Sequence, residues 1–365
     1  MALQTCTKCL LSNQDEPSLR FDAEGVCHMC RHYEVTLPQR AKTASDLEQV
    51  VAVMKKDGQG KPYDCIVGVS GGTDSTYVAY LAKSLGLRPL AVHLDNGWNS
   101  ELAIMNIQRI LDTLGFDLYT YVINWEEFKD LQRAYIKASV IDIEALTDHA
   151  IIATLFKVSK KFGVPYILSG EHFATEGVLP ASWIHNKLDH VNIRAIHQRF
   201  GEIPVPSFPM MNYYQYRIEN KLKPLRYIPI LNYVLYEKKE VVATLVKELG
   251  WRDYGGKHHE SVFTRFYQSY ILPVKFGVDK RKSHYSTLIR SGQWTREEGL
   301  AALEKPICDP DLLAEDKVYV VKKLGFSMEE FDFFMAQPPI PHTHYPSVLH
   351  QLRKAKKWLT LGLKG

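Results

Sequence analysis

The segment Cys65-Ile-Val-Gly-Val-Ser-Gly-Gly-Thr-Asp-Ser75 decides the fold of this chain. Its apolar first part predicts a buried strand, and the amphipathic pattern that follows predicts a helix over residues 74–85. The two glycines permit a tight turn, and a helix start presents unpaired N–H groups and a positive dipole end. The turn Ser70-Gly71-Gly72-Thr73-Asp74-Ser75 is therefore predicted to hold a phosphate or pyrophosphate.

Two common phosphate-binding motifs do not match this turn. The lysine of the common phosphate loop G-x-x-x-x-G-K-[ST] is missing, and the dinucleotide fingerprint G-x-G-x-x-G does not fit. The turn resembles the SGGxDS signature of the ATP-pyrophosphatase (PP-loop) superfamily. That resemblance implies that ATP adenylates a carbonyl oxygen, releasing pyrophosphate, before a nucleophile displaces AMP. Asp74 is the expected Mg²⁺ ligand, because hard cations prefer carboxylate oxygens.

Strand and helix patterns alternate around this turn. Strands are predicted at 65–70, 89–95, 118–123, 165–169 and from Pro229, and helices at 44–57, 74–85, 100–114, 125–138, 148–162 and 237–249. The alternation predicts an α/β fold with a doubly wound parallel sheet, which binds ligands at the carboxyl ends of its strands. Ser45 is the expected N-cap of the first helix.

Four regions are predicted along the chain. They are a zinc ribbon over 1–35, a helical linker over 36–62, the nucleotide-binding core over 63–250, and a mainly helical region over 251–365 that completes the active site. Inside the core, residues 173–222 read as a long loop-rich insert, and such segments are usually functional.

Four cysteines form two C-x-x-C pairs, Cys6 with Cys9 and Cys27 with Cys30. Two such turns facing each other supply a tetrahedral sulfur cage for Zn²⁺. Four protein ligands leave no open position, so the zinc is expected to be structural, supplying the folding free energy that a short ribbon lacks. Alternatives are a redox pair, an iron–sulfur site or four unrelated buried cysteines. The two other cysteines, Cys65 and Cys308, are expected to be packed residues.

Charge and hydropathy limit the class of protein. The net charge is +4 among 365 residues, which gives no strong argument for nucleic acid. No stretch approaches the roughly 18–20 apolar residues of a membrane span, and the N-terminus lacks a signal-peptide pattern. We therefore expect a cytoplasmic protein without a membrane span that binds no nucleic acid and keeps its cysteines reduced or metal-bound.

Polar residues follow the predicted strands at one edge of the sheet. His93, Asp95, Asn96 and Gly97 end the second strand and are expected beside the adenine and ribose of ATP. After the fourth strand, Gly170 permits close backbone approach, while Glu171 is a second candidate Mg²⁺ ligand. The anionic leaving groups require positive charge, for which the candidates are Lys257, Lys280 and Arg281.

The insert and the segment after it carry groups suited to a polar, anionic sugar. Candidate substrate residues are Glu176, Trp183, Asn186, Lys187, His259 and Arg281, within a polar cluster that also includes His172, His185, Asp189, Asn192 and Arg194.

Several longer motifs together resemble the N-acetyl sugar amidotransferase family of WbpG-like and PseA-like enzymes. Beside the cysteine pairs and SGGTDS, they are Ser169-Gly-Glu-His172, Trp183-Ile-His-Asn-Lys-Leu-Asp189, Gly250-Trp-Arg-Asp-Tyr-Gly-Gly-Lys-His-His-Glu-Ser261 and Tyr270-Ile-Leu-Pro-Val-Lys-Phe-Gly-Val-Asp-Lys-Arg281. The resemblance implies that an N-acetyl group on a nucleotide-activated sugar becomes an acetamidino group, in lipopolysaccharide O-antigen or flagellin glycan biosynthesis. ATP would adenylate the acetamide oxygen, and ammonia would displace AMP from the resulting O-adenylyl imidate.

Partners and catalytic roles follow from the same resemblance. The sequence shows no glutaminase of its own, so ammonia is expected from a separate subunit like the glutaminase of histidine biosynthesis (HisH-like). A homodimer is a further expectation. The expected catalytic residues are Asp74, Glu171, His172, Lys257, His258 and Lys280. The general base stays open among His172, His258, His259 and Glu176.

Two rival functions remain from the sequence. One is a tRNA-modifying PP-loop enzyme, a thiolase or lysidine-type ligase, against which the modest charge and missing relay cysteines argue. The other is a non-catalytic zinc-ribbon scaffold, against which the intact SGGTDS turn argues.

Overall fold

The computed structural model describes residues 2–40, 42–177, 179–253 and 260–353. Three residues assigned to the site from sequence, Lys257, His258 and His259, therefore lie outside the described residues. The same is true of the side chain of Glu176.

Five parallel strands form one sheet in the order β3-β2-β1-β4-β5. The strands are β1 (Cys65–Gly68), β2 (Pro89–Asp95), β3 (Leu118–Val122), β4 (Tyr166–Ser169) and β5 (Arg226–Pro229). The order of strands reverses at β1, which leaves a crevice between the carboxyl ends of β1 and β4. This topology confirms the predicted fold class, a doubly wound parallel sheet.

Helices flank the sheet and continue beyond it, which confirms the expected helical C-terminal region. In the described part of the chain they are α1 (His28–Arg40), α2 (Ala44–Asp57), α3 (Thr73–Ser84), α4 (Glu101–Leu114), α5 (Trp125–Lys137), α6 (Ala145–Phe162), α7 (Phe173–Glu176), α8 (His190–Phe200), α9 (Tyr213–Leu222), α10 (Lys238–Leu249), α11 (Val262–Phe266), α12 (Leu272–Phe276), α13 (Lys280–Arg290), α14 (Arg296–Glu304), α15 (Pro310–Leu324) and α16 (Met328–Ala336). A π-helical turn, Tyr267–Ile271, joins α11 to α12. None of the described helices is both long and apolar enough to cross a membrane.

The two faces of the sheet are covered by different helices. Successive side chains of a strand point to opposite faces, so Val67 packs in the cluster with residues of α2, α3, α4 and α10. Ile66 packs on the other face with Leu155 and Val158 of α6. Burial on both faces explains why β1 is a continuous apolar run.

A further core cluster joins the N-terminal cysteine region to the C-terminal helices. It contains all four paired cysteines together with buried residues of α5, α8, α11 and α15. Helix α1 carries Cys30 and continues to Arg40, so the boundary expected at residue 35 falls inside this helix. Tyr33 of α1 stacks on Phe173 at 5.2 Å between ring centroids, which connects α1 to the end of the sheet.

Three local predictions were wrong. The N-cap of α2 is Thr43 rather than Ser45, because Thr43 and Asp46 form a reciprocal capping box. The strand expected from Pro229 instead ends there: β4 stops opposite it, and a 3₁₀ turn (Ile230–Tyr233) follows. The loop-rich insert contains three helices, α7, α8 and α9, and the N-caps of the two longer ones are Asp189 and Asn212.

His149 fixes the insert to the core. Its Nδ1 donates to the carbonyl of Lys187 at 2.7 Å, and its Nε2 accepts from the N–H of Met211 at 2.9 Å. These two bonds require a neutral ring, and burial lowers the pKa of His149 to about 4. The attachment of the insert to the core thus depends on an uncharged imidazole at His149.

Acidic pH should therefore destabilise the contact that His149 makes between the insert and the core. A histidine whose pKa is lowered on folding stabilises the protein above its unfolded pKa of 6.5, and that contribution is lost as the pH falls toward 4. Between pH 6.5 and about pH 5, the wild type should lose about 2 kcal/mol more unfolding free energy than His149→Gln, which keeps an acceptor for Met211 but cannot titrate. Urea unfolding at several pH values measures this difference, and parallel pH curves for the two proteins would contradict it.

Candidate active site

The SGGTDS turn lies between β1 and α3, at the point where the strand order reverses. Gly71 has a φ of 81°, and a Cβ placed on it would lie 2.6 Å from the carbonyl oxygen of Ala103. Gly72 is the N-cap of α3 and contributes no side-chain cap. The start of α3 therefore has the geometry of a helix end that can bind an anion.

Hydrogen bonds within the turn hold its shape. The hydroxyls of Ser70 and Ser75 lie 3.1 Å apart, and the N–H of Gly72 donates to Ser70 Oγ at 3.3 Å. Ser75 Oγ also donates to the carbonyl of Gly72 at 3.1 Å. The two serines therefore shape the loop, whatever it binds.

The crevice beside this turn brings together residues predicted from two different strands. A Cβ placed on Gly170 would lie 3.3 Å from Asp74 Cβ, so the end of β4 touches the start of α3. The hydroxyl of Tyr236 donates to Asp74, and its ring lies 4.9 Å from that of His172. Sequence reasoning missed Tyr236, which precedes α10 and belongs to no motif.

The other residues after β4 differ in exposure. His172 is buried, and its Nδ1 lies 3.1 Å from Thr175 Oγ1. Glu171 is exposed, and its N–H donates to Ser169 Oγ at 3.2 Å. Of these two residues, only Glu171 is exposed.

The end of β2 forms a turn held by its own polar side chains. His93 donates from Nδ1 to the carbonyl of Val69 at 2.8 Å and accepts at Nε2 from Asn99 at 3.1 Å. Asp95 accepts the N–H of Gly97 at 2.9 Å, while Asn96 accepts the N–H of Trp98 at 3.1 Å. These predicted ATP-site residues lie at the expected sheet edge, where His93 has both ring nitrogens paired.

The C-terminal region joins the core at this same turn. Asn99 and Ser261 form an antiparallel bridge. The N–H of Val262 donates to the carbonyl of Trp98 at 2.9 Å, and the N–H of Ser100 donates to the carbonyl of Glu260 at 2.8 Å. The start of α11 is therefore attached directly to the end of β2.

A cluster of charged residues lies where α6, the insert and the C-terminal helices meet. Lys187 Nζ is 2.6 Å from Asp142 Oδ2 and 3.0 Å from Asp148 Oδ2. Thr264 of α11 donates to Glu144 Oε2 at 2.9 Å. Lys280, the first residue of α13, interacts electrostatically with these acidic groups.

Two groups of this cluster, Glu144 and Lys280, have pKa values shifted toward neutral pH. Burial, followed by the charge of Asp148, raises the pKa of Glu144 to about 7. Burial also lowers the pKa of the Lys280 ammonium. A carboxyl group with such a pKa can accept a proton near neutral pH. Glu144 was missed from sequence because its neighbours in space are distant in the chain and form no motif.

The remaining predicted substrate residues are already engaged in contacts. Trp183 is buried and donates through Nε1 to the carbonyl of Asp15 at 2.7 Å. Asn186 accepts the N–H of Leu188 at 3.1 Å, and Arg281 is bound to Asp279 and donates to the carbonyl of Lys305 at 2.7 Å. Their roles in substrate binding remain predictions.

The four paired cysteines form one compact group. Their sulfurs lie within 4.8 Å of one another, and all four side chains are buried. The Cys6–Cys30 and Cys9–Cys27 sulfur distances are 3.8 and 3.9 Å. The edge of a tetrahedron with Zn–S bonds of about 2.3 Å has nearly this length, so the donor set fits a four-coordinate zinc ion.

The positive φ of Gly71 generates a stability prediction. Gly71→Ala should lower the unfolding free energy by about 2 kcal/mol, since a Cβ meets both backbone strain and the Ala103 carbonyl. Gly68→Ala is the matched control, because nothing lies within 4 Å of a Cβ there and its φ is not positive. Urea denaturation compares the two, and equal midpoints would contradict the close approach at Gly71.

Comparison with known proteins adds one family match. Residues 260–357 match the family model for the LPS biosynthesis protein WbpG-like, C-terminal domain. Among curated proteins, none matches this sequence.

Similar solved structures are distant. They include NMN synthetase from Francisella tularensis (13% identity, TM-score 0.37, covering 68% of this chain and 93% of that one). An NH3-dependent NAD synthetase from Campylobacter jejuni is 16% identical, with a TM-score of 0.35 and coverage of 80% and 96%. A predicted tRNA methyltransferase subunit from Methanocaldococcus jannaschii is 14% identical, with a TM-score of 0.28 and coverage of 49% and 75%. The match of residues 260–357 to the WbpG-like C-terminal domain agrees, over that part of the chain, with the family resemblance found in its sequence motifs.

Proposed function

We propose that this chain is an ATP-dependent, AMP-forming carbon–nitrogen ligase that converts an N-acetyl group of a nucleotide-activated sugar to an acetamidino group. The proposal is supported by the direct contact between the sheet that carries the SGGTDS turn and the WbpG-like domain. The SGGTDS turn lies at the switch point of the sheet, and the WbpG-like domain is attached at the neighbouring strand end through Ser261 and Val262.

The first half-reaction uses the crevice between β1 and β4. The N–H groups at the start of α3 would bind the phosphates of ATP. Asp74 would hold the Mg²⁺ that screens their charge. The acetamide oxygen attacks the α-phosphorus, a P–O bond forms, and pyrophosphate leaves. The chain's main contribution is to hold the two reactants in line and to exclude water from the imidate.

The second half-reaction adds ammonia. A C–N bond forms at the imidate carbon, the bond to the AMP oxygen breaks, and AMP carries away the former acetamide oxygen. The incoming nitrogen must lose a proton, for which we propose Glu144 as the acceptor. Its carboxyl group, whose pKa burial raises to about 7, lies beside Lys280 and the insert residue Lys187.

Two further components complete the proposal. The four-cysteine group would hold a structural Zn²⁺, in keeping with its compact, buried sulfurs. Ammonia would come from a separate glutaminase subunit, and the sugar nucleotide would contact the insert and the charged cluster. The pathway would be that of O-antigen or flagellin glycan sugars.

A direct assay tests the reaction. The purified chain is incubated with ATP, Mg²⁺, ammonium and nucleotide-linked diacetamido sugars, and the products are weighed by mass spectrometry. Replacement of one acetamide oxygen by NH, together with AMP, supports the proposal. AMP formation that requires tRNA and leaves the sugars unchanged would instead support the rival tRNA-modifying enzyme.

The role of Glu144 separates the two half-reactions. Glu144→Gln should keep sugar-dependent exchange of pyrophosphate into ATP but slow amidine formation by about 10²–10⁴-fold. In the wild type, amidine formation should rise with pH through about 7, because the base must be deprotonated.

Thr264→Val is the matched variant for this prediction. It keeps the carboxyl group of Glu144 but removes the hydrogen bond from Thr264. Because that hydrogen bond lowers the pKa of Glu144, its loss should raise this pKa. The rising limb of the pH profile should therefore move to higher pH. A Glu144→Gln enzyme with an unchanged rate and pH profile would show that another group accepts the proton.

A further inference from the structure

One face of helix α13 is attached to the N-terminal cysteine region along its whole length. Lys282, Ser286 and Arg290 are spaced four residues apart and so lie on the same side of the helix. Lys282 Nζ is 2.8 Å from Asp15 Oδ1, and Ser286 Oγ accepts the N–H of Leu10 at 3.1 Å. The third residue of this face, Arg290, reaches the sulfur atoms themselves.

Arg290 contacts three of the four sulfurs. Its Nε donates to Cys30 Sγ at 3.0 Å, and its Nη2 lies 3.2 Å from Cys9 Sγ and 3.9 Å from Cys27 Sγ. Nη1 is buried and has no hydrogen-bond partner among the described residues. A guanidinium held with one nitrogen unsatisfied needs a strong electrostatic attraction to compensate it.

Whether a metal ion binds the four sulfurs decides how strong that attraction is. Four neutral thiols offer a guanidinium only weak acceptors. Four thiolates on one Zn²⁺ make a dianionic, buried centre, whose sulfurs are strong acceptors for charged N–H donors. The position of Arg290 therefore fits the metal-loaded form of the group.

We propose that Arg290, a residue of the WbpG-like domain, takes part in zinc binding by the four cysteines. It offsets the negative charge of the tetrathiolate and couples metal binding to the position of α13. This inference rests on the zinc ion of the proposed function.

The coupling has a structural consequence at the other end of the helix. Helix α13 has eleven residues and so spans about 16 Å. It runs from Lys280, in the charged cluster beside Glu144, to Arg290 at the sulfurs. Metal binding would thereby help to fix the position of Lys280.

The test compares three full-length variants with the wild type. Arg290→Met removes the charge and the donors, and Arg290→Lys keeps the charge without the planar fork. Arg296→Met is the matched control, because Arg296 donates to the backbone carbonyl of Cys9 at 3.4 Å rather than to a sulfur. Zinc affinity is measured by competition with a chromophoric chelator, and the site geometry by the absorption spectrum after Co²⁺ substitution.

Arg290→Met should bind zinc about 10- to 100-fold more weakly than the wild type, Arg290→Lys should lie between them, and Arg296→Met should match the wild type. The increase in unfolding midpoint on adding zinc should shrink in Arg290→Met as well. A merely structural arginine would instead lower the midpoint of metal-free and metal-loaded protein equally.

Two results would overturn the inference in distinguishable ways. Wild-type zinc affinity in Arg290→Met would remove the role of the arginine and leave the zinc site standing. A wild-type chain that binds no zinc would contradict the zinc site and the inference together. If Arg290→Met fails to fold, Arg290→Lys and the control decide between these outcomes by the same affinity measurement.

Discussion

The backbone contact at Gly71 is the constraint on which the candidate site depends. The turn passes so close to Ala103 of α4 that a side chain has no room, and the carbonyl of Gly71 accepts the indole N–H of Trp251 at 3.0 Å. These contacts hold the start of α3 between α4 and the chain that leads into the C-terminal region. From the start of α3, Asp74 meets the end of β4 across the crevice.

The charged cluster is the second organising feature, and its energetics are unlike those of a surface ion pair. Asp142 is buried, where an unpaired charge would be costly, and it is paired with the partly buried Lys187. Glu144 accepts a hydrogen bond from the Thr264 hydroxyl. With a pKa near 7, its protonated and ionised forms are about equally populated at neutral pH. A carboxyl group with such a pKa can gain or lose a proton near neutral pH.

Sequence reasoning succeeded where the signal is local. The apolar run of β1, the glycine turn and the paired cysteines each reflect a short-range physical requirement, and the structure places them as expected. It failed where an arrangement depends on distant contacts. Glu144 and Lys280 come together only through the packing of α6 against the C-terminal helices, and Tyr236 reaches Asp74 from a loop without a motif. The capping of α2 by Thr43 was a local signal that was misread by two residues.

Helix α13 gives these separate features a common support. Its N-terminal end contributes Lys280 to the charged cluster, its middle binds the N-terminal region through Ser286, and its C-terminal end places Arg290 on the sulfurs. A helix held at both ends by charge resists sliding along its axis more strongly than one held by apolar contacts alone, because ion pairs and charged hydrogen bonds are directional. The cysteine region is therefore not an independent appendage of the sheet. It is part of the framework that positions Lys280 in the charged cluster.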